Sequence, residues 1–313
     1  MEIRNPTVSI IILNWNSVRY LDECLRSVYE QTRNISFEVI VVDGASYDGS
    51  EQFIRDNFPA VRFVQLTENV GFARGNNAAA RYAQADTLVF LNPDTVVLEG
   101  AIEKLYAAFN RIPKIGAAGL VLLNSDLSIQ TAAVQRYPSI STQIFDFDPF
   151  IRKFKRLSLW GNKALYGNEP ATVEVISGAC LMVRKDIFNQ VGGFNESYFM
   201  YAEDAHLCWS VRQAGRGVYL LPVGRVIHHG GGCSSERKVS GFSAKTFRHS
   251  IYLFLRQTRG RAYAELYRYS LGACALARLA ILYPISFLKD SAVRNSIEKW
   301  RHVLAWARSC APA

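Results

Sequence analysis

Apolar runs rich in β-branched residues recur along the first 123 residues, and this recurrence restricts the chain to few folds. The runs cover residues 8–13, 37–43, 61–66, 87–91 and 115–123. The runs at 8–13, 37–43 and 87–91 predict strands that are buried on both faces of a parallel sheet, and the other two predict further strands. Segments with helical spacing of apolar residues separate them, as in Leu21, Cys24, Leu25 and Val28, a helix that Ser17 can cap. Further along the chain, short strands are expected at residues 218–221 and 225–228. The alternation therefore predicts an α/β fold in which helices flank a parallel sheet.

Composition and cysteine usage place the chain among ordinary globular proteins. Of its 313 residues, 49% are hydrophobic and 20% are charged, which excludes a disordered chain and a collagen-like repeat. The six cysteines show no C-x-x-C spacing of a zinc or redox site, so we expect reduced thiols. The N-terminus lacks signal-peptide features, and we expect the protein in the cytoplasm. Residues 145–159 are expected to form a surface loop or lid, and residues 230–235 a flexible loop.

Positive charge is concentrated in the C-terminal quarter. From residue 237 onward, 14 Lys and Arg face 3 Asp and Glu, whereas the first 236 residues hold 22 and 24. Such a region suits anionic lipid or another polyanion. Residues 271–288 contain one charge, Arg278, and one proline, Pro284. Three interpretations of this stretch stay open: a bilayer span, a pair of interfacial helices, and an ordinary helical cap or dimer surface.

Acidic residues follow two of the predicted strands. Asp43 ends the second strand, and Asp94 follows the fourth in the sequence Asn92-Pro-Asp. Ligands bind outside the carboxyl ends of parallel strands, where a buried acid needs a cation or a donor. Asp94 is either a ligand of a divalent ion whose other ligands come from a diphosphate, or a helix cap. Asp43 either accepts hydrogen bonds from a base or ribose, or is an ordinary turn residue.

Three further segments contain candidate functional residues. Residues 69–77 place two glycines, an arginine and amides at a helix start, which suits a phosphate or nucleotide. They do not form the G-x-G-x-x-G pattern, which disfavours hydride transfer. Glu203 and Asp204 begin a predicted helix, where paired acids either complement the helix dipole or supply a general base. His228 is either a structural histidine or, together with Asp94, a metal ligand.

Eight segments in order resemble the family 2 glycosyltransferases, and in particular bacterial rhamnosyltransferase-like enzymes of cell-surface polysaccharide synthesis. They are residues 8–17, 41–50, 68–77, 91–95, 177–181, 191–194, 201–204 and 228–232. The resemblance implies the GT-A fold, a Rossmann-like α/β fold with a mixed, mainly parallel sheet flanked by helices. It implies a GT-A domain over residues 1–240, with a nucleotide-binding half at about 1–123 and an acceptor half at about 124–240. A basic helical extension would follow over residues 241–313.

The same resemblance implies roles for single residues. Asp94 would bind Mg²⁺ or Mn²⁺ together with His228, and Asn92 stands where the family's D-x-D motif has its first acid. Asp204 would be the catalytic base, with Glu203 supporting it or contacting the acceptor. Residues expected at the nucleotide or diphosphate are Asn14, Asn16, Asp43, Ala45, Ser46, Gly71, Arg74, Asn77, Asn92 and Asp94.

The activity implied by the resemblance is inverting, metal-dependent sugar transfer. The donor would be a nucleotide diphosphate sugar, with dTDP-L-rhamnose as the first expectation, and the acceptor a glycan or lipid-linked glycan. We expect a peripheral enzyme on the inner face of the cytoplasmic membrane, held there by its basic C-terminal region, and a homodimer as a further expectation. One alternative is a catalytically inactive relative that binds nucleotide sugar and acts as an assembly partner. Another is a nucleic-acid-binding protein, but no nucleic-acid motif accompanies the basic region, and we expect no such partner.

Overall fold

The computed structural model describes residues 5–144, 163–230, 241–285 and 291–309. These residues form two compact units. The first unit comprises residues 5–137, 163–199 and 203–230, and the second comprises residues 138–144, 200–202, 241–285 and 291–309. The loop expected at 145–159 and the loop expected after Gly230 lie outside the described residues. The division into domains over 1–240 and 241–313 stays a prediction.

The elements alternate as the apolar runs predict. In chain order they are β1 (Val8–Asn14), α1 (Val18–Gln31), β2 (Phe37–Asp43), α2 (Ser50–Asn57), β3 (Arg62–Gln65), α3 (Phe72–Ala80), β4 (Thr87–Leu91), β5 (Thr95–Val97), α4 (Ala101–Phe109), β6 (Ile115–Leu123), β7 (Val134–Gln135), α5 (Ile140–Ile144), β8 (Ala171–Thr172), β9 (Val175–Ile176), β10 (Cys180–Arg184), α6 (Lys185–Gln190), α7 (Glu203–Gln213), β11 (Gly217–His228), α8 (Gly241–Arg259), α9 (Arg261–Ile285) and α10 (Ser291–Ser309). Short 3₁₀ turns lie at Thr131–Ala133 and Lys163–Tyr166. Helices α5, α8, α9 and α10 belong to the second unit.

The first unit is built around a nine-stranded mixed sheet. Its main strand order is β3-β2-β1-β4-β10-β6-β11-β5, and β8 pairs with β11. Strands β3, β2, β1 and β4 run parallel, whereas β10 is antiparallel to both β4 and β6. The chain adds β2 and β3 on one side of β1 and then β4 on the other, which makes the end of β1 a topological switch point. The predicted α/β fold with a mixed sheet and flanking helices is confirmed.

Burial on both faces explains why the strands are so apolar. All five residues of β4 and all nine of β6 are buried. Helix α1 turns Leu21, Cys24, Leu25 and Val28 inward at the predicted spacing. The same burial raises the pKa of the Cys24 thiol to about 12. The four described cysteines are free thiols, as expected.

Two local predictions were wrong. Residues 218–221 and 225–228 were expected as separate strands, but β11 runs through both, with a register shift between Leu220 and Arg225. Pro222 lies within this irregular stretch, where its missing N–H removes no regular ladder bond. Ser17 lies at the N-cap position of α1, but its side chain makes no capping hydrogen bond, and its hydroxyl donates to the Trp15 carbonyl. The Asp48 carboxylate accepts from the Val18 N–H instead, at 2.8 Å.

The described part of the second unit contains one short and three long helices. Helices α8, α9 and α10 pack on one another around buried Tyr252, Tyr267, Leu271 and Trp306. Arg278 of α9 lies 4.1 Å from the centre of the Trp300 ring of α10. Within the described ranges, no helix is both long enough and apolar enough to cross a bilayer.

Candidate active site

The site lies at the carboxyl edge of the sheet, around the switch point at the end of β1. Asn14 ends β1, and Asp43, its registered neighbour, ends β2. On the other side of β1, Leu91 ends β4 and leads directly into Asn92 and Asp94. The sheet therefore brings together the nucleotide and metal candidates that the sequence placed after separate strands.

Asp43 organises the loop that follows β2. Its buried carboxylate accepts from the Asn14 Nδ2 at 2.6 Å, from the Ser46 N–H at 2.7 Å and from the Gln65 Nε2 at 2.9 Å. Ser46 in turn accepts from the Asn16 N–H at 2.8 Å through its hydroxyl. Three donors on one carboxylate fix both the acid and the loop backbone.

Two amide atoms beside Asp43 have hydrogen-bonding capacity left. Among the described residues, neither the Asn14 Oδ1 nor the Asn16 Nδ2 has a hydrogen-bond partner, although both atoms are buried. Asn16 and Ala45 hold left-handed backbone angles, with φ of 50° and 60°. Buried polar atoms without partners are costly, and a ligand that supplies a donor and an acceptor would satisfy them.

The pairing of β5 with β11 brings Asp94 and His228 together. His228 is opposite Thr95 in this ladder, and the His229 N–H donates to the Asp94 carbonyl at 2.9 Å. The Asp94 Oδ1 lies 3.4 Å from the His228 Nε2, and both side chains are largely buried. Asn92 approaches the same ring nitrogen with its Nδ2, at 3.2 Å.

Gln130 fixes the tautomer of His228. The Gln130 Nε2 donates to the Asn124 Oδ1 and to the His228 carbonyl, each at 3.1 Å. Its Oε1 therefore faces the His228 Nδ1, at 2.8 Å, and must accept a proton from it. In neutral His228 the Nε2 lone pair then points toward Asp94.

This donor set fits a divalent cation. A carboxylate oxygen and an imidazole lone pair that face each other at 3.4 Å repel one another, and either a metal cation between them or a proton on the Nε2 relieves this repulsion. In the part of the chain that the structure describes, no group of three or more His, Cys, Asp or Glu side chains is placed to hold a metal. Asp94 and His228 supply two ligands, which is enough for an ion that takes its remaining ligands from a diphosphate and water.

Glu203 and Asp204 begin α7 but occupy different environments. The Asp204 carboxylate accepts from the Ala205 N–H at 2.7 Å and from the Gly178 N–H at 3.2 Å, and it is partly exposed. Glu203 is buried, with 6% of its surface exposed, and its Oε2 has no hydrogen-bond partner among the described residues. The two acids are therefore not equivalent.

Burial and hydrogen bonding together decide which of the two acids holds a proton. It raises the pKa of Glu203 well above its ordinary value, and the neighbouring Asp204 charge raises this pKa further. Burial also raises the pKa of Asp204, but the N–H groups of Gly178 and Ala205 oppose this rise. Because only Asp204 has donors on both oxygens, a proton shared by the pair resides on Glu203. Asp204 is thus the acid that can remain ionised.

Residues 178 and 179 join the candidate base to the candidate metal ligands. The Gly178 N–H holds Asp204, and the adjacent Ala179 carbonyl accepts from the Asn92 N–H at 3.0 Å. The close neighbour of Gly178 is the Phe72 ring, which an added Cβ would meet at 3.0 Å, whereas its distance of 3.7 Å to the Asp204 Cβ would be an ordinary contact. The order of β4 and β10 in the sheet thus brings the α7 start close to the Asn92–Asp94 turn.

The glycine-rich segment, residues 69–77, contacts the backbone around Phe194 and Phe199. Gly71 has φ of +83°, and an added Cβ would lie 2.3 Å from the Phe199 carbonyl oxygen. The Asn77 side chain donates to and accepts from the Phe194 backbone, at 2.7 and 2.9 Å. Arg74 is exposed and lies 3.9 Å from Glu196. Gly71 and Asn77 thus have structural contacts in the first unit, and the contact of this segment with a nucleotide stays a prediction.

Sequence reasoning did not single out Gln130, nor assign Gly178 a contact with the acid. Gln130 lies outside any motif, in the irregular stretch after β6, and it meets His228 only through the fold. Gly178 had a partial signal, because it interrupts an apolar run and belongs to one of the eight segments of the resemblance. A glycine inside a strand pattern marks a close approach of another group, which here is the Phe72 ring, and the Gly178 N–H also donates to Asp204.

The chain is similar to known proteins in sequence and in fold. The sequence pattern of the family described as Glycosyl transferase family 2 matches residues 9–192. N-acetylglucosaminyl-diphospho-decaprenol L-rhamnosyltransferase of Mycobacterium tuberculosis is 26% identical over 305 residues, covering 94% of this chain and 98% of that protein. Rhamnosyltransferase WbbL of Escherichia coli (strain K12) is 27% identical over 228 residues, covering 66% of this chain and 82% of that protein.

A solved structure shares the fold. The mannosyltransferase PcManGT from Pyrobaculum calidifontis, in complex with GDP-Man and Mn²⁺, has a TM-score of 0.60 at 18% identity. The match covers 97% of this chain and 87% of that chain. With the family pattern spanning more than half of its residues, this chain belongs to glycosyl transferase family 2 and is a glycosyltransferase.

Proposed function

We propose that this glycosyltransferase moves L-rhamnose from dTDP-L-rhamnose to a lipid-linked glycan during cell-surface polysaccharide synthesis. Two similar proteins are named as rhamnosyltransferases, and one of these names specifies a diphospho-decaprenol acceptor. The observation that carries the reaction type is the link through residues 178 and 179 between Asp204 and the Asn92–Asp94 turn. We further propose that transfer takes place at the inner face of the cytoplasmic membrane.

Asp94 and His228 would hold Mg²⁺ or Mn²⁺ together with the donor diphosphate. The ion would supply charge neutralisation to the departing nucleoside diphosphate. The role of the chain is orientation, since Gln130 keeps the Nδ1 proton of His228 in place and leaves Nε2 toward Asp94. Asn92 lies against the same nitrogen and limits how the imidazole can turn.

Asp204 would act as the general base. It would accept the proton of the acceptor hydroxyl while that oxygen bonds to the anomeric carbon and the sugar–phosphate bond breaks. Attack from the face opposite the leaving group inverts the configuration in one displacement. The N–H groups of Gly178 and Ala205 hold the carboxylate in place. Protonated Glu203 would keep a second negative charge away from the base.

The loop after β2 would bind the nucleoside. Asp43 holds Ser46 and the loop backbone, so it would shape the pocket. The buried Asn14 Oδ1 and Asn16 Nδ2 would give the base or ribose one acceptor and one donor. We keep Gly71, Arg74 and Asn77 as predicted neighbours of the diphosphate.

A donor panel tests the proposal. The purified chain would be incubated with nucleotide sugars and Mg²⁺ or Mn²⁺, and release of nucleoside diphosphate measured for wild type, Asp204→Asn and Asp94→Ala. We expect metal-dependent turnover of dTDP-L-rhamnose that both substitutions abolish. Turnover of a different nucleotide sugar would show that the proposed donor, dTDP-L-rhamnose, is wrong. Turnover without metal would contradict the proposed role of Asp94 as a metal ligand. Donor binding without turnover, even with a lipid-linked acceptor, would favour the inactive assembly partner.

A further inference from the structure

Helix α9 of the second unit is apolar on both of its faces. One face is buried and includes Ala264, Tyr267, Leu271, Ala275 and Leu279. The opposite face is exposed, although it carries five of the ten large hydrophobic side chains that are exposed in the described residues. They are Leu266, Tyr269, Leu276, Ile281 and Tyr283, each exposed over 50% to 68% of its surface. A helix that is hydrophobic all round is normally covered all round.

The exposed residues form a continuous stripe, which we call the α9 stripe. It consists of Leu266, Tyr269, Ala273, Leu276, Ala277, Ala280, Ile281 and Tyr283. Most of these residues follow each other at spacings of three and four, so they lie along one side of the helix over about 26 Å. An exposed, mainly apolar surface of this length is unusual on a soluble domain and marks a contact with a partner or a lipid surface.

Both charged residues within this stretch are engaged beside the stripe. Arg268 pairs with Glu265 at 2.7 Å and donates to the Ala307 carbonyl at 2.8 Å. Arg278 lies on the Trp300 ring of α10. The Arg268 guanidinium also lies over the Tyr269 ring, 4.3 Å from its centre, so the stripe is free of charge from Ala273 to Tyr283.

The charge of the second unit indicates what covers the stripe. Its described residues include 11 Lys and Arg against 2 Asp and Glu, and α10 alone exposes Arg294, Lys299, Arg301 and Arg308. A second copy of the chain would bring another strongly positive unit against the first. An anionic lipid bilayer is complementary to the positive charge of the unit, and the apolar interior of the bilayer accepts Leu and Ile side chains.

We propose that the α9 stripe lies in the boundary between headgroups and acyl chains of an anionic lipid bilayer. The helix would lie parallel to the membrane plane, because its other face is packed against α8 and α10. This inference deepens the proposed function, on which the choice of a membrane location rests. It names the protein surface and requires no particular donor sugar.

Vesicle binding of the full chain tests the inference. Sedimentation would be measured with phosphatidylcholine vesicles containing 30% phosphatidylglycerol and with pure phosphatidylcholine vesicles, for wild type and for Leu276→Glu with Ile281→Glu. Both residues are exposed, so the double variant should fold. We expect at least tenfold weaker partitioning of the double variant, because two apolar anchors are lost and two negative charges are added. The matched control is Leu127→Glu, an equally exposed leucine of the first unit, and it should bind vesicles like wild type.

Three results would overturn the inference: undiminished vesicle binding of the double variant, equal binding of wild type to both kinds of vesicle, and a wild-type dimer that the double variant loses. The last result would assign the stripe to a second copy. Release of nucleoside diphosphate without vesicles keeps the two proposals apart. If the variant loses vesicle binding while no donor turns over even with a lipid-linked acceptor, the stripe is correct and the proposed reaction is not. If a donor turns over and the double variant binds vesicles like wild type, the proposed reaction is correct and the stripe is not.

Discussion

Replacing Gln130 by methionine should weaken metal binding without touching a metal ligand. The substitution keeps the length of the side chain but removes the acceptor of the His228 Nδ1 proton, 2.8 Å away. The proton can then move to Nε2, where it faces the Asp94 Oδ1 at 3.4 Å. Loss of such a partner typically lowers metal affinity about 10- to 100-fold, or about 1.4–2.7 kcal/mol. The Asn124 Oδ1 and the His228 carbonyl also lose a donor, at about 1 kcal/mol each in stability.

Two measurements separate positioning from a general loss of stability. Mn²⁺ affinity would be measured by electron paramagnetic resonance with saturating dTDP, and the His228 tautomer by ¹⁵N NMR of the metal-free protein. We expect the Nδ1–H tautomer in wild type and a mixture of tautomers in the variant. Gln130→Glu retains an acceptor and should restore the tautomer, and the exposed Gln135→Met is the matched control. The reasoning fails if Gln130→Met keeps both the tautomer and the Mn²⁺ affinity of wild type.

Three further predictions concern the two acids at the start of α7 and Gly71. Asp204→Asn should lower kcat about 10²- to 10⁴-fold with an unchanged melting temperature, whereas Asp22→Asn, at a half-exposed aspartate of α1, should leave initial rates unchanged. Glu203→Gln should stabilise the protein relative to wild type increasingly as pH rises from 5 to 8 in urea titrations. The raised pKa of Glu203 favours the folded state at low pH, and this contribution is lost as the buried acid ionises. Gly71→Ala should cost about 1–3 kcal/mol or more in calorimetry, because its positive φ and the Phe199 carbonyl both disfavour a Cβ; a loss below 0.5 kcal/mol would contradict this account.

The fold could be predicted because its signal is local. Each buried strand is a continuous apolar run, and α1 repeats its inward residues at helical spacing. Asp43 and Asp94 lie at the carboxyl ends of strands, where ligands bind in parallel sheets. This inference needs no knowledge of side-chain contacts. The order of the eight segments added the resemblance to family 2 glycosyltransferases, and this resemblance predicted the GT-A fold.

The remaining details depend on contacts between residues that are distant in sequence. Ser17 lies at the N-cap position of α1, as its sequence predicts, but the side chain that accepts from the first helical N–H belongs to Asp48 in the loop after β2. Gln130 reaches His228 across 98 positions, and no spacing rule connects them. Asn77 illustrates the converse, because a residue inside a recognisable motif has both amide atoms bonded to the backbone of Phe194. A motif shows which residues are near a site, whereas the packed structure shows which atoms remain available to a ligand.

The division of labour between Glu203 and Asp204 follows from this distinction. In the sequence the two acids are equivalent, and the helix dipole favours a negative charge on either. The structure gives Asp204 two backbone donors and partial exposure, and it gives Glu203 a buried oxygen without a hydrogen-bond partner among the described residues. Two adjacent carboxylates in so small a volume repel each other, so the less solvated one retains the proton. A base that must be ionised before it meets the acceptor hydroxyl is therefore Asp204, and the raised pKa of Glu203 is part of what keeps Asp204 charged.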